Sequence, residues 1–367
     1  MIHLTLFFTR GVSLQTWAQN GSLEREIALY LRLQQKGVQI SFLTYGDKRD
    51  LHCRDQLQGI EIFCNRWNLS PRMYEKLIPL LHGRALARAS LIKTNQTNGA
   101  DIALRAARLW RKPLLARCGY MWSDLMQSGG RQEEAQRARA IERAAFTRAS
   151  GVIVTTPSMK EYVLENYAAA HERVHIIPNF VLTDIFSPQK TQPIPRRVCF
   201  IGRLGEEKNL FSLVRACAGL DVELHFIGQG HLRLPLQKEA DELEVPLTIH
   251  DYMQHHRLPA MICQSAVFAL VSPHEGHPKS LLEAMSCGAA VLGADSPGIR
   301  EQIIHGETGW LVGTGAESIR AGIQHLLANP SLREKLGANA RRFILNNYSL
   351  DRIVEMEYAL YQEIVKA

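Results

Sequence analysis

What the chain lacks excludes much. Its seven cysteines (Cys53, Cys64, Cys118, Cys199, Cys217, Cys263, Cys287) are odd in number and never form a C-x-x-C pair. This spacing argues against a disulfide framework and a structural zinc site, and for reduced thiols in a cytoplasmic protein. No apolar stretch approaches the roughly 18 residues of a membrane span. The opening run MIHLTLFFTRGV has no basic n-region and is broken by Arg10, so it reads as a first strand and not as a signal peptide. Aromatic residues are scarce, at 7%, and no RNA-recognition, zinc-finger or helix-turn-helix signature occurs, which argues against a nucleic-acid partner. No D-x-D pair occurs. No tight G-x-G-x-x-G follows the first strand, and IGQGHL carries only part of one, which disfavours a nicotinamide-dependent oxidoreductase.

What is present describes a globular protein larger than one core usually serves. The chain has 367 residues, 46% hydrophobic and 22% charged, and two domains are the first expectation. Net charge is +7, divided as +9 over residues 1–189 and −2 over the remainder. The excess lies largely in RMYEKLIPLLHGRALARAS and RQEEAQRARAIERAAFTRAS. Two readings stay open: solvated helix faces with Arg and Glu at i,i+3 and i,i+4, or a surface that meets anionic lipid or a phosphorylated acceptor.

Strand-like runs (IHLTLFF, VQISFLT, IEIF, LIKT, PLLAR, GVIVTT) alternate with amphipathic helical runs, the pattern of a parallel sheet wrapped by helices. The proline-rich, aperiodic PNFVLTDIFSPQKTQPIPRR interrupts it. Alternation then resumes with RVCFIG, VELHFIG, LTIHDY, AVFALVS, AAVLGA and TGWLV. The expected organisation is a first Rossmann-like domain over 1–178, a linker over 179–197 and a second such domain over 198–347. A C-terminal helix over 348–367 would pack back on the first domain.

In SPHEGHPKSLLEAMSCGAA a strand ends at Ser272, a Gly/Pro turn carries Glu275, and a helix carries Glu283 about two turns in. The start of that helix favours an anion. A carboxylate placed there suits neutral sugar or ribose hydroxyls, the alternatives being a plain turn residue and a solvated helix residue.

The whole string EGHPKSLLEAMSCGAAVLGADSPGIREQIIHGETGWLV resembles the signature of the family 4 retaining glycosyltransferases of GT-B fold, with an E-x7-E motif. That fold is α/β, two Rossmann-like doubly wound parallel-sheet domains facing across a cleft, and the resemblance makes 1–178 the N-terminal acceptor-binding domain and 198–347 the nucleotide-sugar domain. Departures are His277 for Phe, Ala290 for Pro, and Ser296-Pro297-Gly298 around the glycine pair. FIGRLGEEKNLFSLVRAC resembles the segment whose Arg and Lys hold the donor diphosphate, with Asn209 for glycine. The resemblance implies catalytic roles for Arg203, Lys208 and Glu275. It implies donor binding by Gly21, Gly202, Tyr252, Met253, Gly276, His277, Pro278 and Glu283, with the Leu281 and Leu282 N–H groups reaching phosphate. Asp251 stands where glycine is more usual.

The first domain matches more loosely. NGSLEREIALYLRLQQKG resembles the glycine turn opposite the diphosphate, with Asn20 for the first glycine. In PLLARCGYMWSD the usual histidine aligns with Cys118, a thiol unsuited to carry a proton in its place. Acceptor-side candidates are Lys93, Asn95, Arg117, Cys118 and Tyr120.

The implied function is retaining transfer of a hexose-type sugar from a UDP- or GDP-linked donor to a glycan or lipid-linked saccharide in cell-surface polysaccharide biosynthesis. No cofactor is needed. No metal is demanded, because Arg203, Lys208 and helix dipoles can neutralise the diphosphate and the D-x-D pair of metal-dependent transferases is missing. The location would be cytoplasmic, peripheral on the inner membrane face. A non-catalytic nucleotide-sugar or glycan-binding protein of the same fold is the alternative that Cys118 raises.

Overall fold

The computed structural model describes every residue except Tyr252, Ala367 and the side chain of Ser128. Among the described residues the apolar runs form two wholly parallel sheets. The first comprises β1 (His3–Phe7), β2 (Gln39–Leu43), β3 (Glu61–Phe63), β4 (Leu91–Thr94), β5 (Leu114–Cys118), β6 (Gly151–Val154) and β7 (Val174–Ile176). Their order across the sheet is β3-β2-β1-β4-β5-β6-β7. Buried on both faces, these strands are short and nearly continuous in apolar residues, as parallel strands under helices must be.

The second sheet comprises β8 (Ile194–Ile201), β9 (Glu223–Ile227), β10 (Leu247–His250), β11 (Ser265–Leu270), β12 (Val291–Ala294) and β13 (Trp310–Val312), in the order β10-β9-β8-β11-β12-β13. Strand order reverses between β1 and β4 in one sheet and between β8 and β11 in the other. Open α/β sheets take ligands beyond the strand C-termini at such switch points.

Two compact units result, Met1–Pro178 with Ile353–Ala367, and Asn179–Arg352. The segment expected as a linker contributes Val181 and Phe186 to the second core, and its last residues begin β8. Arg341 fastens it by donating to the carbonyls of Phe186 at 2.7 Å and Thr183 at 3.1 Å. The helix Leu350–Lys366 buries Ile353, Glu357, Leu360 and Tyr361. From Ile353 onward it belongs to the first unit.

Candidate functional site

At the switch point of the second sheet, glycines let loops approach backbone to backbone. A Cβ on Gly228 would lie 1.9 Å from the Gly202 carbonyl oxygen, and one on Gly230 would lie 2.1 Å from that of Leu204. Gly202 itself faces the Phe200 ring, 2.7 Å from where its Cβ would stand. Arg203 then projects outward, its side chain 72% exposed and 4.0 Å from Glu207. Lys208 closes a short turn, and Asn209 takes φ +56°, a left-handed conformation that asparagine tolerates better than most residues. This accounts for asparagine where the resemblance has glycine. Its amide also donates to the carbonyls of Val271 at 3.1 Å and Thr314 at 2.9 Å, tying the Lys208 loop to the ends of β11 and β13.

Lys208 Nζ thereby meets Glu275 Oε1 at 2.6 Å, and the Ser272 hydroxyl donates to the same oxygen at 2.7 Å. Both members of the ion pair are largely buried. The Glu275 turn is held from behind. Its N–H donates to the Pro297 carbonyl at 3.0 Å, and the Ser296 hydroxyl donates to the Ser272 carbonyl at 2.7 Å. Gly298, at φ +81°, passes so close that a Cβ would sit 2.1 Å from the Glu275 carbonyl oxygen. Gly298 is therefore the required glycine of the SPG departure.

The helix Lys279–Ser286 follows Pro278 without a side-chain cap. Leu281 and Leu282 bury their side chains completely. The Leu282 N–H corrects an expectation: it donates to the Pro278 carbonyl at 3.3 Å as the first helical bond. Outward-looking N–H groups are those before it, Leu281 included. Glu283 is buried and bonded to His255 Nε2 at 3.0 Å. The sequence reading passed over His255, whose only signal was a pair of histidines in the loop before β11. His277 is buried too, its ring 5.2 Å from Tyr348. The Asn179 N–H donates to His277 Nδ1 at 3.3 Å, a bond that phenylalanine could not accept, and the Asn179 amide reaches the His277 carbonyl at 2.8 Å. Gly276 is half-buried. Met253 is half-buried against the second core, while Asp251 pairs with Arg233 at 2.8 Å. Tyr252, a base-pocket candidate, lies outside the described residues. Among the described residues no group of three or more His, Cys, Asp or Glu is arranged to hold a metal ion.

In the first unit, Gly21 takes φ +59° at its turn. Asn95 donates to the Thr9 hydroxyl at 3.3 Å across the β1–β4 switch point, and Gln96 accepts the Gly119 N–H at 2.9 Å. Thr9 and Gln96 are polar groups at this switch point that motif matching did not single out. Arg117 is half-buried and Tyr120 exposed. Beside β2 and β3, a polar cavity of about 440 Å³ is lined by Ser13, Gln15, Asp47, Asp50 and Asn65 among others.

Two acceptor-side expectations are corrected. Lys93 is fully buried, its Nζ 2.5 and 2.7 Å from the Glu357 carboxylate and 3.0 Å from the Tyr361 hydroxyl. Burial pushes its pKa down while Glu357 opposes that shift. It fixes the C-terminal helix and is out of reach of an acceptor. Cys118 is also fully buried, donating to the Tyr120 carbonyl at 3.2 Å, and burial pushes its thiol pKa far up. It is an inert packing residue.

Two family models match the chain in tandem, Glycosyltransferase Family 4 over residues 27–185 and Glycosyl transferases group 1 over 183–343. The chain is 25% identical over 254 residues to alpha-maltose-1-phosphate synthase of Mycolicibacterium smegmatis, covering 61% of this chain and 66% of that protein, just under two thirds of its length. Among solved structures, the sucrose-phosphate synthase of Thermosynechococcus elongatus superposes with a TM-score of 0.82 at 19% identity, over 99% of both chains. Anabaena HepE in complex with UDP and glucose gives 0.79 at 15% identity, over 99% of this chain and 100% of that one. These structural likenesses concern the fold, which is GT-B.

Proposed function

We propose that this chain, which belongs to the family 4 glycosyltransferases, moves a hexose-type sugar from a UDP- or GDP-linked donor, with retention of anomeric configuration. The observation carrying this reading is the Lys208–Glu275 pair at the switch point of the second sheet, with Glu283 one helix segment further on. Departure of a nucleoside diphosphate builds negative charge on its leaving phosphate, and a positioned cation stabilises that charge as it forms. Lys208 is such a cation, and Arg203 projects from the same loop. Glu275 accepts hydrogen bonds from the sugar hydroxyls, and Glu283, steadied by His255, accepts them from the ribose. The N–H groups at the start of the helix Lys279–Ser286 face the diphosphate. In this reading the acceptor hydroxyl attacks on the face the diphosphate leaves, and the departing phosphate takes its proton. No protein base is then required, in keeping with an inert Cys118. The HepE complex, which holds UDP and glucose, supports a nucleotide-sugar donor. The acceptor suited to this reading is a glycan or lipid-linked saccharide of cell-surface polysaccharide synthesis, handled on the cytoplasmic side of the membrane.

The test is a melting-temperature screen with UDP, GDP, ADP, dTDP and CMP, repeated on Glu283→Ala. Stabilisation by one diphosphate, lost in the variant, identifies the donor base, because a ligand preferring the folded state raises its stability by mass action. The absence of any shift in the wild type overturns the donor assignment. The anomeric configuration of the product, read by NMR, tests retention.

A further inference from the structure

Three large apolar side chains left in water fall together on the first unit. Met73 is 48% exposed, Leu80 64% and Leu109 53%. Met73 and Leu80 lie seven residues apart on the helix Pro71–Leu81, hence on one stripe, with half-buried Leu77 between them. Leu109 belongs to the neighbouring helix Ala100–Trp110. Two bonds set the helices side by side: Arg105 donates to the Glu75 carbonyl at 3.1 Å, and Trp110 Nε1 to the Pro79 carbonyl at 2.7 Å. Leu80 and Leu109 therefore stand at the same level, each next to a residue of the second bond.

Cations surround them. Arg72, Lys76, Arg84, Arg108 and Arg111 are exposed, and none is in an ion pair among the described residues. The two acids of these helices nearest the face, Glu75 and Asp101, are both engaged by Arg10, at 3.3 and 2.7 Å. The face is thus apolar at its centre and positive at its rim. We propose that it docks on an anionic phospholipid bilayer.

A bilayer satisfies both halves of this arrangement. Leucine and methionine enter the acyl boundary while long cationic side chains reach the phosphates above it. A nucleic-acid backbone would meet the cations but leave the leucines unmatched. Among the described residues no helix is long and apolar enough to cross a membrane, so the contact is interfacial. The surface goes beyond the donor chemistry and is measured independently of it.

The experiment is co-sedimentation of the full chain with vesicles of phosphatidylcholine alone or mixed with phosphatidylglycerol, at low and high salt. Binding is expected only with the anionic lipid and should weaken as salt rises. Lys76→Gln with Arg108→Gln should weaken binding roughly 25-fold, about fivefold per cation. Leu80→Ser with Leu109→Ser should weaken it at unchanged charge. Arg137→Gln with Arg148→Gln, which removes the same charge from exposed positions on another helix of the unit, should leave binding within about twofold. In each variant, retention of the nucleotide-induced melting shift establishes a folded protein and keeps this result separate from the donor assignment. No binding to anionic vesicles overturns the proposal, and so does an equal loss in the Arg137 and Arg148 pair. A partition insensitive to the leucine substitutions overturns it as well, in favour of a diffuse charge attraction such as an acidic protein would share.

Discussion

Lys208 Nζ and Glu275 Oε1, 67 residues apart in sequence, lie 2.6 Å from each other at the reversal of strand order in the second sheet. The ammonium is thereby held in place, and the Ser272 hydroxyl, donating to the same oxygen, helps to orient the carboxylate. In the proposed function, an incoming sugar hydroxyl would meet an acceptor already in place.

Replacing Lys208 with alanine should lower turnover about 10²- to 10³-fold, the usual effect of removing a group that stabilises developing charge. Folding should survive, because Glu275 keeps Ser272 and some access to water. Release of nucleoside diphosphate from the donor measures the loss, and wild-type turnover would remove Lys208 from the site.

His255→Phe should weaken nucleotide binding about tenfold, since Glu283 loses the partner that holds its carboxylate. Because His255 acts through Glu283, the effect should appear in KM for the donor far more than in kcat. Steady-state kinetics separates the two, and a fall in kcat alone would contradict the positioning role.

Gly298→Ala and Gly306→Ala form a matched pair. Both glycines have positive φ, +81° and +74°, but an added Cβ meets nothing within 4 Å at Gly306 and would lie 2.1 Å from the Glu275 carbonyl oxygen at Gly298. Gly306→Ala should cost about 1–2 kcal/mol from conformation alone. Gly298→Ala should cost more and abolish turnover by displacing the Glu275 turn. Equal melting temperatures and activities would show that the turn yields freely.

Acid should destabilise the first unit through His82. Its ring is buried and bonded to the Tyr74 hydroxyl at 2.8 Å, and burial lowers its pKa from 6.5 to about 4. Between those values the unfolded chain binds a proton that the folded chain refuses, so stability falls as pH drops from 6.5 toward 4. The loss reaches roughly 3 kcal/mol. Denaturant unfolding of wild type and His82→Gln across this range checks it, the variant giving the flatter profile.

Lys93→Ala should destabilise by about 3–5 kcal/mol, because it leaves the Glu357 carboxylate buried and uncompensated. Lys93→Met combined with Glu357→Gln should recover much of this. Nucleotide-induced stabilisation should persist in the double variant, as Lys93 belongs to the packing of the first unit. Loss of that stabilisation would return Lys93 to a functional role.

The sequence was most legible where chemistry is local. Alternating apolar runs mark both sheets, and the spacing from Glu275 to Glu283 is that of one turn and one short helix. Asn209 and His277 looked like defects in a motif, and the fold supplies their reasons: a left-handed turn for one and the Asn179 N–H for the other. Lys93 was misread because its partner lies 264 residues away, and no local pattern distinguishes a buried lysine with a distant glutamate from an exposed one. Cys118 aligned with a functional position, yet its side chain turns into the core. His255 was missed because a loop histidine acquires meaning only when the fold brings a carboxylate to it.

The contact between Lys93 and the C-terminal helix also bears on the order in which the protein can be made. Synthesis proceeds from the N-terminus at roughly 5–20 residues per second. The second unit is one uninterrupted stretch, complete once Arg352 has emerged, whereas the first needs Ile353 onward to finish its core. The half that is translated first is therefore the last to close, and until Glu357 leaves the ribosome its central lysine has no counterion.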